Sequence, residues 1–408
     1  MRGQFLPGTL RAMRSISSVQ VATFAAACGL AVASIYYAQP LVGVIAPDLG
    51  LPPGLAGLIV TLTQLGYGAG LLFLVPLSDV LENRSLVVCA LAAVVFGLLG
   101  IALSDSAVTF MVATFIVGVS SVAAQILVPL ASHLAPEASR GKVVGSVMSG
   151  LLGGIMLARP FASYVAGTFG WRAVFYLSAG MVLTLLVLIR RVAPQRRPSS
   201  PLTYRQILRS LPVLVARTPL LRRRAFYQGM LFAGFNLFWT GSPLLLAHEF
   251  GLGHRGIALF ALAGAAGALA APIAGRMADR GLTGPATGWA LVAAVFAFAL
   301  AAEARLTHSL ALLTLAALIL DAAVQVCQVL SLRSIYMLAP ELRGRLNGLF
   351  MAFAFFCGAA GSGLAAALYT FRGWTTLAAV GALCAAAALA QFASEVRQAN
   401  RRVLFPTY

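Results

Sequence analysis

Apolar residues run along this 408-residue chain in twelve long stretches that short polar segments separate. We number them spans 1 to 12, and they cover residues 19–46, 54–77, 86–104, 107–134, 143–166, 171–190, 223–247, 255–277, 285–304, 308–335, 346–369 and 374–393. A helix crosses a bilayer with about 20 mainly apolar residues. The pattern therefore predicts an all-α membrane protein with twelve transmembrane helices, and it leaves no room for a soluble domain.

Composition agrees with this pattern. The chain is 60% hydrophobic and only 10% charged, whereas soluble domains carry about 25% charged residues. So few charges exclude a cytosolic enzyme, a disordered scaffold and a secreted disulfide domain. The lipid bilayer is the expected surrounding.

The formal net charge of +18 is distributed unevenly. If the N-terminus lies inside, 24 of the 29 basic residues fall on the inner face. Such an excess is typical of cytoplasmic loops, so we predict an inner-membrane protein with both termini in the cytoplasm. No segment is long enough to fold into a basic, aromatic-bearing surface for nucleic acid, and no nucleic-acid partner is expected.

The first six spans resemble the last six. Landmarks recur at offsets of 200 to 203 residues: Asp79 and Asp279, Pro40 and Pro243, Gln125 and Gln328, Gly170 and Gly373. Six spans return a chain to its starting side, so the halves are expected to be parallel repeats. We predict an N-terminal bundle at 1–191, a basic cytoplasmic linker at 192–221 and a C-terminal bundle at 222–408, arranged as two pseudo-symmetric six-helix bundles. Apolar positions at 204–211 leave two alternatives for the later part of the linker, an amphipathic helix or a solvated tether.

Two loop motifs and several longer phrases resemble a known family. GRMADRG at residues 275–281 and VPLSDVLENR at 75–84 follow spans 8 and 2, and IYYAQPLVGVIAPDLG and NLFWTGSPLLL lie in spans 1 and 7. They resemble the major facilitator superfamily, in its bacterial drug- and sugar-efflux-like branch of arabinose-efflux-type permeases. The first loop keeps Leu77, Asp79 and Arg84 but has Val75 and Glu82 at glycine positions. The resemblance implies alternating access around a cavity lined by spans 1, 4, 7 and 10.

Asp321 is the one acidic residue in the interior of a span, because the other ten lie in or next to loops. A carboxylate at mid-bilayer costs about 2.5–3.5 kcal/mol on insertion scales. Gln325 and Gln328 follow on the same helical face, so the three side chains are expected to line a cavity. Burial disfavours the charged carboxyl, and we predict that Asp321 carries protons. The alternative is a structural hydrogen bond to a neighbouring helix.

Arg159 is the other charge inside a span, about 10 Å from the outer end of span 5. Asp321 lies about 20 Å from that face, so a direct pair would have to bridge the difference in depth. Three roles remain open: counter-ion to Asp321, binder of an anionic substrate group, or gating residue. A packing or gating role is the favoured hypothesis.

Further candidates follow from the family resemblance. The expected substrate-binding residues are Tyr36, Tyr37, Gln39, Gln64, Gln125, Phe235, Asn236, Trp239, Gln325 and Gln328. Ordinary packing is the alternative for each aromatic. With Arg159, the expected gating residues at the cytoplasmic helix ends are Asp79, Arg84, Asp279, Arg280, Glu137, Arg140, Glu341 and Arg343. Surface pairing, worth about 0–1 kcal/mol, is the alternative for these charges.

The chain has no P-loop, zinc-protease or hydrolase motif, so we expect no enzyme, cofactor or metal site. The prediction is a monomeric secondary transporter that couples efflux of a small organic compound, drug-like or sugar-like, to protons by antiport. The main alternative is a proton-coupled importer of a small organic, possibly anionic, solute. A membrane receptor or scaffold that binds without transporting is the third hypothesis.

Overall fold

A computed structural model describes residues 16–198, 202–338 and 342–404, and the regular elements within them are helices. The α-helices are α1 (Ser18–Ala33), α2 (Val42–Asp48), α3 (Leu58–Phe73), α4 (Asn83–Ala102), α5 (Ala107–Ser120), α6 (Ala123–Leu134), α7 (Arg140–Phe169), α8 (Trp171–Val192), α9 (Tyr204–Arg217), α10 (Pro219–His248), α11 (His254–Ala265), α12 (Ala271–Asp279), α13 (Thr283–Leu306), α14 (Leu310–Tyr336) and α15 (Arg343–Leu404). Short 3₁₀ segments lie at Gln39–Leu41, Pro53–Leu55, Val75–Asp79, Glu137–Ser139 and Ala266–Ala270.

All twelve predicted spans correspond to helical segments. In the described part of the chain, nine segments are long and apolar enough to cross a membrane. One of them contains both span 11 and span 12, because α15 runs through a kink at Gly373, where φ is 78°. Spans 1 and 8 are not among the nine, and each consists of shorter helices, α1 with α2 and α11 with α12.

The break in span 1 places polar side chains at mid-span. After Ala33 the backbone changes to tighter hydrogen bonds, such as Tyr36 N–H to the Ala33 carbonyl at 2.9 Å. Pro40 has no N–H to continue an α-helix, and it lies in the 3₁₀ turn that follows. Span 8 breaks where Gly267 contacts the backbone of α14, since a Cβ there would overlap Leu318 and Ala322.

Small residues bring neighbouring spans into close contact in both halves. In the N-terminal half (spans 1–6), Gly29 of α1 packs against Gly150 and Gly154 of α7 with no room for a Cβ. In the C-terminal half (spans 7–12), Gly361 of α15 packs in the same way on the backbone of Ala233 in α10. Backbone contact of this kind stabilises helix pairs in a bilayer, where the hydrophobic effect does not drive helix association.

The segment between the halves contains a folded helix, α9, so the solvated-tether alternative does not hold for residues 204–217. Ile207 of α9 is fully buried. The Tyr204 hydroxyl donates to the Phe73 carbonyl of the N-terminal half at 2.9 Å. Leu214 and Val215 pack against an apolar cluster of the C-terminal half that includes Phe350. The helix therefore contacts both halves.

Large apolar side chains cover the outside of the bundle. Phe96, Leu259 and Trp289 are about 70% exposed, at 73%, 69% and 72%. Apolar surface on this scale is stable when lipid surrounds it. The exposed pattern agrees with the membrane location that composition predicts.

Candidate functional site

Arg159 is buried between the two halves. It lies on α7 and is only 2% exposed. Its guanidinium carbon lies 5.1 Å from the centre of the Tyr36 ring, 5.1 Å from Phe235 and 4.5 Å from Trp239. Aromatic faces at these distances stabilise a cation. The Nε–H of Arg159 also donates to Oε1 of Gln39 at 2.9 Å.

Asp321 lies beside this group on α14 and is 7% exposed. The indole N–H of Trp239 donates to Asp321 Oδ1 at 2.7 Å. No ion pair within 4.0 Å joins Asp321 to Arg159 in the described structure. Trp239 contacts both charges, with its ring face toward the guanidinium and its N–H toward the carboxylate. The difference in depth expected from the sequence is thus bridged by an aromatic side chain.

We call this group the central cage. Its members are Tyr36, Gln39, Arg159, Phe235, Trp239 and Asp321. The first three come from the N-terminal half and the last three from the C-terminal half. A movement of the halves would therefore change the surroundings of both charges.

Amide side chains join the halves next to the cage. Oδ1 of Asn236 accepts from Nε2 of Gln64 at 3.1 Å and from Nε2 of Gln39 at 3.4 Å. Its own Nδ2 donates to the Phe232 carbonyl at 2.9 Å. Both glutamines belong to the N-terminal half and Asn236 to the C-terminal half, so one buried amide oxygen holds two contacts between them.

A small cavity borders the cage. Its volume of about 10 Å³ is close to what one water molecule needs. The lining residues are Pro40, Arg159, Trp239, Ser242, Pro243, Leu246, Ile257, Phe260 and Ala261. Two buried polar atoms of this lining, Nη2 of Arg159 and Oγ of Ser242, have no hydrogen-bond partner in the described part of the chain.

The remaining predicted substrate residues lie elsewhere. Gln125 donates to the Tyr67 hydroxyl at 3.3 Å and accepts from Asn347 of span 11 at 2.9 Å, so it forms another contact between the halves. Gln328 accepts from Gln228 at 3.5 Å.

Two more predicted residues lie apart from the cage. Gln325 is half-buried on α14. Tyr37 packs against Phe161 at 5.7 Å inside the N-terminal half. The structure therefore does not bring Tyr37 to the cage, and helix packing accounts for its burial.

The charges at the helix ends pair with partners that lie far from them in the sequence. Asp279 forms an ion pair with Arg333 of α14 rather than with the neighbouring Arg280, which is exposed. Asp79 is close enough to Arg345 and Arg196 for electrostatic attraction. No ion pair within 4.0 Å joins Asp79 to either arginine in the described part of the chain.

The other predicted gating residues form no ion pair among the described residues. Arg84 donates to the Ala193 carbonyl at 3.4 Å, and Arg343 to the Tyr336 carbonyl at 3.0 Å. Glu137 and Arg140 are exposed. Glu341 lies outside the described residues. A gating role for these charges stays a prediction.

Sequence reasoning missed Ser242 and Phe260, which line the cavity, and Thr240, whose hydroxyl lies 3.4 Å from Nε2 of Gln39. The repeat held a signal for one of them. Ser242 stands 203 residues after Gln39, the same offset that separates Pro40 from Pro243. Projection of the N-terminal candidates onto the second half would therefore have found Ser242.

Comparison with known proteins identifies the family. A family model described as the Major Facilitator Superfamily matches residues 22–319. Over 371 residues the chain is 41% identical to the "uncharacterized transporter YgaY" of Escherichia coli O157:H7, an alignment that covers 91% of this chain and 94% of that protein.

Two solved structures show the same fold. The human organic anion transporter MFSD10 is similar with a TM-score of 0.66 at 20% identity, over 92% of this chain and 99% of that one. A D-xylose–proton symporter is similar with a TM-score of 0.69 at 16% identity, over 91% and 96% of the two chains. The predicted all-α membrane fold is confirmed, whereas the efflux branch stays a prediction. The chain belongs to the Major Facilitator Superfamily, and it is a transporter.

Proposed function

We propose that this protein is a proton-coupled secondary transporter of a small organic compound, and that Asp321 carries the proton. The observation that carries the proposal is the position of this carboxyl in a cage made by both halves. Burial disfavours its charged form, whereas the Trp239 N–H and the nearby Arg159 favour it. Opposing influences of this kind suit a group that binds a proton in one state and releases it in another.

Alternating access follows from the composition of the cage. If the halves rock apart on one side, Trp239 and Asp321 move with the C-terminal half while Gln39 and Arg159 move with the other. Asp321 then loses the nearby cation, and its protonated form becomes favoured. The change of conformation thus alters how strongly Asp321 binds a proton, and proton binding in turn favours one conformation.

The membrane orientation proposed from the sequence assigns roles to the contacts at the helix ends. The face that carries Arg84, Arg140 and α9 would be cytoplasmic, with both termini on that side of the inner membrane. The Asp279–Arg333 pair and the Gln125–Asn347 contact would hold this side closed and separate when it opens. Because every cage residue comes from one chain, we propose a monomer as the transporting unit.

Two directions of coupling are distinguishable. Efflux by antiport, which the resemblance favours, requires that substrate and proton exclude each other from the cage. Import by symport requires that they bind together. The second candidate is favoured by a specific observation, the buried Arg159 beside Asp321, because a cation already present can balance an anionic substrate.

Reconstituted protein tests the proposal. We would screen a compound library on proteoliposomes containing a pH-sensitive dye and record the sign of the proton flux that each compound induces. Asp321→Asn is expected to abolish compound-dependent proton flux, because an amide cannot exchange a proton at neutral pH. Asp105→Asn, at an exposed loop acid, is the matched control and should transport normally. Undiminished proton flux in Asp321→Asn would refute the carrier assignment.

A further inference from the structure

Two buried donors beside the cage have no partner. Nη2 of Arg159 and Oγ of Ser242 are free of hydrogen bonds within the described structure. Arg159 is 2% exposed and Ser242 0%. An unsatisfied buried donor costs about 1–3 kcal/mol, and more when it is charged. Buried polar groups without a partner are uncommon in native proteins, so these two indicate where a ligand atom belongs.

The donors come from opposite halves and line the same cavity. Both can donate to an oxygen, and one of them is a guanidinium, whose fork of N–H groups matches a carboxylate. Asp321 does not occupy that place, since no ion pair within 4.0 Å joins it to Arg159 in the described structure. Tyr36 is the other ionisable residue that faces the guanidinium, and its phenol is neutral at physiological pH. Nη2 of Arg159 is therefore the part of the guanidinium that is open to a ligand in the described structure.

The rest of the lining is apolar. Leu246, Ile257 and Phe260 form the apolar wall, together with Pro40 and Pro243. Sites for organic solutes combine apolar walls with a few placed polar groups. With the halves closed the cavity holds about one water molecule, so an apolar body attached to the anionic group would reach this wall only when the halves part.

We infer that the substrate is an organic carboxylate, with its head group held by Arg159 and Ser242 and its apolar body against Ile257 and Phe260. The inference names the substrate class of the transport site proposed above and rests on that function for its transport step. The carboxylate oxygens accept hydrogen bonds from both halves. The bound substrate then joins the two halves of the protein at the cage.

The charge of the substrate fixes the coupling. Without substrate, the cage holds one cation and one carboxylate. A second carboxylate beside Arg159 repels the charge of Asp321, so the loaded cage favours protonated Asp321. The anion and the proton are then bound in the same state and cross together, which is symport.

Binding to the purified full-length protein gives the first test. The probes are benzoate and phenylacetate, with their amides as neutral controls of the same shape, measured by calorimetry in sodium chloride at equal ionic strength. We expect the carboxylates to bind and the amides to fail. Arg159→Lys should weaken carboxylate binding at least about tenfold, because an ammonium cannot reproduce the fork of the guanidinium.

Matched serine variants separate ligand contact from packing. Ser242→Ala should weaken carboxylate binding measurably even if Arg159→Lys fails to fold. Ser163→Ala is the control, since Ser163 is also buried with a free hydroxyl but does not line the cavity. Equal effects of the two serine variants, equal binding of amides and carboxylates, or full replacement of benzoate by chloride would each overturn the inference.

Transport distinguishes this inference from the proposed function. With phenylacetate as the anion, dye-loaded proteoliposomes and subtraction of the flux into protein-free liposomes, symport predicts that the anion and protons enter together. Arg159-dependent binding of carboxylates without any gradient-driven flux would refute the transport mechanism and leave the binding site standing. Proton flux that depends on Asp321 but occurs only with neutral or cationic compounds would refute the carboxylate site and leave the proton carrier standing.

Discussion

The two halves of the transporter repeat the frame of the cage but not its charges. Tyr36 and Trp239 stand 203 residues apart, at equivalent positions of spans 1 and 7, and both rings face the guanidinium of Arg159. Gln39 and Ser242 are equivalent in the same way. The repeat thus places matching side chains on the two sides of one cation.

The charged residues have no charged counterparts. Gly118 occupies the position equivalent to Asp321, and it packs against the backbone of Thr63 with no room for a side chain. Ser362 is equivalent to Arg159, and its hydroxyl lies 3.2 Å from that of Thr61 across the halves. Each half therefore contributes one charge, on spans that do not correspond. Pseudo-symmetry builds the interface, and under the proposed function its departure from symmetry is what would make the interface sensitive to protons.

The largest effect on transport is expected at Trp239, which differs from its equivalent Tyr36 because it donates a hydrogen bond to Asp321. Trp239→Phe keeps an aromatic face toward Arg159 but removes the donor to Asp321. A hydrogen bond to a charged group contributes about 1.5–3 kcal/mol, so we expect proton-coupled transport to fall at least about tenfold. Flux in dye-loaded proteoliposomes measures the loss.

The matched variant in the other half is Tyr36→Phe. Its ring remains over Arg159, and the described structure shows no hydrogen bond from its hydroxyl, so transport should stay near the wild-type rate. Similar losses in both variants would show that the rings act alike and that the Trp239 N–H has no special role.

A smaller effect is expected from the glycine contacts that both halves share. Gly154→Ala introduces a methyl group where the backbone of Gly29 lies, and Gly361→Ala does the same against Ala233. Overpacking typically costs about 1–3 kcal/mol, so both variants should lower thermal stability in detergent.

Gly153→Ala is the control, because nothing lies within 4 Å of a Cβ at that position. It should match the wild type or be slightly more stable, since alanine favours helix more than glycine does. A loss confined to one half would show that only that half depends on close helix contact.

The smallest effect concerns the stability of the protein at low pH, and it involves Asp48 on the face opposite α9. Hydrogen bonds from Arg172 and Trp171 lower the pKa of Asp48, at 2.6 Å and 3.0 Å. A lowered folded-state pKa means that this stabilisation is present above the unfolded value of about 3.9 and is lost as the pH falls through the folded value. The equivalent tryptophan, Trp374, donates instead to the Ala301 carbonyl, which does not titrate.

Thermal unfolding from about pH 6 to about pH 3 tests this difference. Asp48→Asn should flatten the acid side of the profile slightly, and Asp105→Asn, at a 95% exposed side chain, should change it less. An unchanged profile in Asp48→Asn would show that the hydrogen bonds from Arg172 and Trp171 to Asp48 add nothing to stability.

The sequence predicted the architecture well because bilayer thickness constrains it. Long apolar stretches gave the twelve spans, and the repeat gave the equivalence of Pro40 and Pro243. Asp321 was found because an acid inside a span is rare. The residues that surround Asp321 could not be predicted from the sequence, because the rotation and tilt of the helices decide which side chains are in contact.

Three features illustrate that limit. The contact of Trp239 with both charges depends on the rotation of α10, which no spacing rule gives. The ion pair of Asp279 with Arg333 joins residues 54 positions apart. The repeat pairs Ser242 with Gln39, but only the structure shows that its hydroxyl has no partner among the described residues.

The helix between the halves, α9, is attached to both of them. Leu214 and Val215 pack against an apolar cluster of the C-terminal half, and the Tyr204 hydroxyl donates to the Phe73 carbonyl of the N-terminal half. If the halves rock as proposed, α9 cannot keep both sets of contacts unchanged. The hydrogen bond of Tyr204, which lies at the water-exposed surface and far from the substrate site, would therefore report each transport cycle.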